Sequence, residues 1–121
     1  MFRSALLVEA DRRPDYWIVR APLIWDDGKE TVIVPAGFET DLASIPRIAQ
    51  GAPGFASTGL SRRPAVLHDF SYAEGFLSRM AADELFYRAL LSEGVHELTA
   101  RTYYRAVRLF GGAAWERHRR S

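Results

Sequence analysis

The chain has 121 residues, 48% of them hydrophobic and 26% charged, with a formal net charge of +1; this is the composition of one ordinary globular domain, able to bury roughly two-thirds of its extended surface. The absence of cysteine excludes disulfides and thiolate metal centres, and no apolar run approaches the roughly 18 residues of a bilayer span. Beyond Glu97 the arginines outnumber the acids, but a solvated helix face accounts for that excess and a nucleic-acid partner is not expected.

Taken in order, the first third reads as strand and turn. The stretches "ALLVE" (5–9), "YWIVR" (16–20) and "TVIVP" (31–35) are rich in aromatic and β-branched residues, and Asp27-Gly28 between Trp25 and Thr31 is a tight-turn signal. Two or three short antiparallel strands are expected. "MFRSALLVEADRR" lacks the long apolar stretch of a signal peptide. Pro35-Ala36-Gly37 reads as a turn with Gly37 at positive φ, and the text from Ile45 to Pro64 has turn residues but no sustained period.

Helices follow. Pro64 suits the first turn of a helix to about Ala73, closed near Gly75. Ser78 is the N-cap candidate of a second helix, in which Asp83, Phe86, Tyr87 and Leu90 share one face until Gly94. A third helix is expected from about His96 to Trp115, with Ala100, Tyr103, Val107, Gly111 and Ala114 on its packing face. The result is a single α+β domain: 1–35 mainly β, 36–63 a motif-bearing loop, 64–115 helical and 116–121 a basic tail. An N-terminal antiparallel hairpin or small sheet packs on two to three helices.

The polar residues of the helical part are the chemical candidates. Asp83 stands on an apolar stripe, and a buried carboxylate needs a hydrogen bond or an opposite charge. His68 and Asp69 are adjacent and cannot point the same way on a helix, so each needs its own partner. If the two helices are antiparallel neighbours, Asp83 accepts from one ring nitrogen of His68 and leaves the other as a base, the orienter-and-base half of a hydrolytic site. The structural alternative is that His68 and Asp83 simply join two helices, with Arg79 or Arg62 neutralising Asp69.

Tyr72 could support Asp83 or Asp69 with its hydroxyl. Asp69 is a candidate Ca²⁺ ligand, because that ion takes hard oxygen donors, and Asp41 in "ETDLASIPR" is a candidate second carboxylate or a turn cap. Ser44 lacks the glycine-flanked elbow of a nucleophilic serine. His96 and His118 have no companions at metal spacing and are expected to be exposed. Trp17, Trp25 and Trp115 read as core or interface anchors. No phosphate loop or dinucleotide fingerprint is present, so nucleotide chemistry is not expected.

"VPAGFETDLASIPR" (34–47), "AVLHDFSY" (65–72), "SRMAADELFYRAL" (78–90) and "YYRAVRLFGGAAW" (103–115) together resemble a family of small phage and prophage proteins, numbered 1353 among domains of unknown function. The resemblance spans roughly residues 16–115 and implies a phage setting without a settled activity. Separately, "HDFSY" followed by Asp83 and Phe86 is similar to the catalytic helix pair of secreted phospholipases A2, especially the small bacterial and fungal ones. That likeness implies His68 as the base that activates water, Asp69 as a Ca²⁺-binding carboxylate, Tyr72 as a support and Asp83 as the residue orienting the histidine. The bridging cysteines of those enzymes are absent, and their glycine-rich calcium loop has no copy unless residues 35–46 replace it.

The expectation is a Ca²⁺-assisted ester hydrolase, acting on a lipid or cell-envelope ester. The alternative is a noncatalytic virion or tail-assembly protein that binds phage structural proteins, and a third is an accessory inhibitor of a host enzyme. The expected location is in the virion or in the cytoplasm of an infected host, with no transmembrane segment.

Overall fold

Asp27 and Gly28 fix a tight β-hairpin. Gly28 takes φ +82°, and the Asp27 carboxylate accepts from the backbone N–H groups of Lys29 and Glu30 at 2.9 and 2.8 Å, a side-chain turn that reverses the chain. In this computed structural model, which describes residues 1–41 and 59–120, five strands precede the helices: β1 (Val8–Ala10), β2 (Trp17–Val19), β3 (Leu23–Asp26), β4 (Thr31–Val34) and β5 (Glu39–Thr40). The turn joins β3 and β4, which pair Leu23 with Val34 and Trp25 with Val32. All four of those side chains are buried while Ile33 is exposed, the period-two pattern of a half-buried hairpin.

The second sheet has the order β1-β2-β5, all antiparallel. Gly37, at φ +95°, lets the chain turn back so that its N–H reaches the Val19 carbonyl at 2.7 Å. The α+β class and the Asp27-Gly28 hairpin agree with the sequence, but the described residues hold five strands rather than two or three. Leu23–Asp26 was hidden as a flank of the turn, and Glu39–Thr40 has only two residues, too few for any period to register.

A 3₁₀ turn at Gly59–Ser61 leads into α1 (Arg62–Glu74), followed by α2 (Arg79–Ser92), α3 (Glu97–Phe110) and α4 (Gly112–Arg120). Gly75, at φ +65°, donates its N–H to the Ser71 carbonyl and ends α1. Ser78 caps α2 by accepting from the Ala81 N–H at 3.1 Å. Among the described residues no helix is long and apolar enough to cross a membrane. The candidate Ser44 and the turn-rich stretch from Ile45 to Thr58 lie outside the described residues.

Two apolar clusters share α1 and α2. One joins Val19, Leu23, Trp25, Val32 and Val34 of the strands to Val66, Leu67, Leu85 and Ala89; the other joins Ala65, Phe86 and Leu90 to Tyr103, Ala106 and Val107 of α3. Helix α1 is therefore covered on several sides, and Pro64 through His68 are all buried. Arg88 ties α2 to the hairpin turn, reaching Asp27 at 3.2 Å and Glu30 at 3.3 Å.

The single third helix expected from His96 to Trp115 is interrupted at Gly111. The guanidinium of Arg79, in the first turn of α2, donates to the carbonyls of Val107 and Arg108 at 2.8 and 2.7 Å. The Val107 carbonyl also accepts from the Gly111 N–H at 2.9 Å, so Arg79 adds a donor to the carbonyls at the end of α3 rather than replacing its last helical bond. Gly111 is also needed sterically, because a Cβ on it would meet the Tyr72 hydroxyl at 2.7 Å. Gly111→Ala is expected to destabilise the protein by about 1–3 kcal/mol through this overpacking, measured by urea denaturation. A loss no larger than that of Ala113→Gly, at an exposed site on α4, would show that the close approach is not a constraint.

Candidate active site

The covered position of α1 brings His68 under the neighbouring helices, leaving it 5% exposed. Tyr72 lies one turn further along, and its ring packs on that of His68 with centroids 4.2 Å apart; Phe86 of α2 lies 4.8 Å away. An imidazole walled in by rings needs a polar partner in the remaining direction. Asp83 supplies it: His68 Nε2 lies 2.6 Å from Asp83 Oδ1.

Asp83 is fully buried and receives two further hydrogen bonds. The Tyr72 hydroxyl donates to Oδ1 at 2.7 Å, and Arg108 of α3 donates to Oδ2 at 2.7 Å. Burial would raise the pKa of this carboxyl, but the hydrogen bond and charge of His68, together with Tyr72 and Arg108, outweigh it and hold Asp83 below the ordinary carboxylate value. Burial first, and then the bond to Asp83, push the Tyr72 hydroxyl far upward, so it remains a donor.

An ionised carboxylate can only accept. When His68 is neutral its proton therefore sits on Nε2, toward Asp83, and the lone pair is on Nδ1. The network continues outward, because Arg79 Nε donates to the Tyr72 oxygen at 3.1 Å.

His68 and Tyr72 also line an open cleft of about 340 Å³ together with Asp69, Asp41, Phe110 and His118. Asp69, half-buried beside His68, has its pKa raised by burial, opposed by the side chain of Thr40, the backbone of Asp41 and the charge of His118. The structure thus brings four of the expected residues, His68, Tyr72, Asp69 and Asp41, to one cavity, with Asp83 directly behind. Two carboxylates supply only part of the about six to eight oxygens that Ca²⁺ takes, and among the described residues no group of three or more His, Cys, Asp or Glu side chains could hold a metal ion.

Several partners differ from those expected. Arg79 bonds Tyr72 and the end of α3 rather than Asp69, and Arg62 is exposed. The cation at Asp83 is Arg108, whose position beside the α3 stripe gave no signal of the contact. His118 is not a companionless surface residue: α4 packs against the end of α1, where Arg119 donates to the Tyr72 and Ala73 carbonyls at 2.5 and 3.1 Å, and His118 lines the cleft with Asp69. The only signal was the spacing of Trp115, His118 and Arg119 on one short helix, with Trp115 packing edge-on to Tyr72. His96 is exposed as expected and caps α3 by accepting from the Leu98 N–H.

The family model described as "Protein of unknown function (DUF1353)" matches residues 17–107, which include α1, α2 and most of α3. No curated protein and no solved structure matches the chain.

Two stability effects follow from these carboxylates. Asp83→Ala is expected to destabilise by about 3 kcal/mol at pH 7, because it leaves Arg108 and His68 facing a buried gap; urea denaturation checks this, and a loss under 1 kcal/mol would contradict a stabilising network. Asp69 acts in the opposite direction. Its raised folded-state pKa means that the ionised form penalises folding above that pKa, and the penalty fades as pH falls toward the ordinary value of 3.8. Asp69→Asn should therefore raise Tm at pH 7 and give a shrinking difference as pH is lowered, measured by calorimetric scans from pH 8 to 4.

Proposed function

We propose that this chain, which belongs to the DUF1353 family of proteins of unknown function, is a hydrolase of carboxylic esters with His68 as its water-activating base. The observation that carries this is the 2.6 Å contact between His68 Nε2 and the buried, ionised Asp83, on a histidine that lines an open cleft. Asp83 would fix the tautomer and stabilise the imidazolium that forms when Nδ1 takes a proton from water. The water oxygen then attacks the ester carbonyl, and the proton held on Nδ1 passes to the departing alkoxide. Tyr72 and Arg108 keep Asp83 ionised and in place throughout.

Ca²⁺ is a separable part of the proposal. Asp69 and Asp41 are the residues that would hold it. When bound, the ion would supply positive charge to polarise the carbonyl. The phage and prophage setting implied by the resemblance would make a lipid or cell-envelope ester the natural target. A noncatalytic assembly protein is the second interpretation, favoured by the way the same polar network joins α1, α2 and α3 through Arg79 and Arg108.

Hydrolysis of p-nitrophenyl butyrate separates the two. The parent should turn it over, and His68→Asn, with fold checked by circular dichroism, should lose at least about a hundredfold in kcat/KM. A well-folded parent inactive on a panel of esters, with and without Ca²⁺, would favour the assembly role. Calorimetric Ca²⁺ titration tests the metal: specific binding lost in Asp69→Asn supports it, and no binding to the parent removes it.

A further inference from the structure

Helices α2 and α3 form an antiparallel hairpin, joined by the short connection 93–96. Phe86 packs edge-on against Tyr103 with ring centroids 6.1 Å apart, and this pair fixes the level of one helix against the other. Counting equally in opposite directions from it, Leu91 stands level with Leu98, Glu84 with Arg105 and Met80 with Leu109. Spacings of three and four residues put Met80, Glu84, Tyr87 and Leu91 on one stripe of α2, and Leu98, Arg101, Arg105 and Leu109 on one stripe of α3.

Both stripes face outward. Met80, Leu91, Leu98 and Leu109 are 52%, 40%, 63% and 75% exposed, and Glu84 and Arg105 are exposed between them. Apolar side chains that stand singly on a surface need no explanation. Four at the corners of one face, around a recess lined by Tyr87 and Tyr104, form a patch of the kind that partners cover. The recess is also lined by Glu84, Arg101 and Arg105. Arg101 bonds Glu97 at 2.7 Å, whereas neither Glu84 nor Arg105 makes a hydrogen bond or ion pair with another described residue.

The two stripes are complementary to each other, so the face is complementary to itself. A two-fold axis in the plane of the face and parallel to the helices lays α2 of one copy on α3 of the other without changing levels. Met80 then meets the second copy's Leu109, Leu91 meets its Leu98, and Glu84 meets its Arg105, each contact being made twice. An in-plane axis across the helices would instead lay α3 on α3 and set Arg101 and Arg105 against their own copies, a like-charge juxtaposition that opposes association.

We propose that the outer face of the α2–α3 hairpin docks a second copy of this chain, forming an antiparallel four-helix bundle in which Glu84 of each copy pairs with Arg105 of the other. The dimer does not depend on the hydrolase reading. Val107 and Phe110, which line the cleft, lie on the far side of α3 from Leu98, Arg105 and Leu109, so the cleft stays open in it.

Sedimentation equilibrium of the full chain at tens of micromolar should give twice the chain mass. Glu84→Arg and Arg105→Glu, each checked for folding by circular dichroism, should separately weaken the dimer by at least about tenfold, because each sets like charges against one another. An equimolar mixture of the two variants should regain it, since in the mixed pair both contacts again join opposite charges. Leu109→Ser should weaken association, while Ile33→Ser, at a residue 54% exposed on β4, should leave it unchanged. A parent that stays monomeric, a dimer that both charge variants form as tightly as the parent, or a mixture that associates no better than either variant alone would overturn the inference.

Discussion

A carboxylate with no solvent exposure must be compensated, and the helical half of this protein is arranged around that requirement. Asp83 lies on the face of α2 that packs between α1 and α3. Its two oxygens take a histidine and a tyrosine from α1 and an arginine from α3. Removing any one donor leaves a buried carboxylate with an unmet acceptor site, so the cluster favours one relative placement of the three helices. Arg79 extends the same logic by joining the Tyr72 hydroxyl to the terminal carbonyls of α3.

That arrangement decides where the cleft is. Arg79 adds a donor to the carbonyls at the end of α3, Tyr72 sits against Gly111 where α3 gives way to α4, and α4 packs on α1. Arg117 and His118 of α4 line the cavity, with the exposed Phe110 beside them. The strands contribute from the other side. Pairing of β5 with β2 sets Thr40 and Asp41 beside Asp69, while the β3–β4 hairpin buries Trp25 and Val32 in the cluster that supports α1 and α2. One polar network thus links the stability of the helical packing to the geometry of the candidate site.

The part of the site legible in the sequence is the part set by local rules. Asp83 on an apolar stripe announces its need for a partner, and the helical spacing of His68 and Tyr72 places both on one face. The strands with β-branched runs, the Asp27-Gly28 turn and the Ser78 cap are local in the same sense. What the sequence does not disclose is non-local. Nothing near Arg108 distinguishes it from the other arginines of α3, since its role depends on where α2 lies. At Gly111, where α3 gives way to α4, side chains of α1 and α2 lie close by, a non-local feature that the continuous period through Ala114 does not disclose. His118 becomes part of the cleft through the packing of α4 on α1, and the two-residue β5 exists only because β2 offers it an edge.

The account depends most directly on the protonation geometry of one ring. Long-range ¹H–¹⁵N NMR correlations identify which nitrogen of a neutral histidine carries the proton. For His68 the prediction is the tautomer protonated on Nε2, with an unprotonated Nδ1, and loss of that signature in Asp83→Ala. A ring protonated on Nδ1 when neutral, or a tautomer unaffected by removal of Asp83, would contradict the claim that the buried carboxylate holds His68 ready to act as a base.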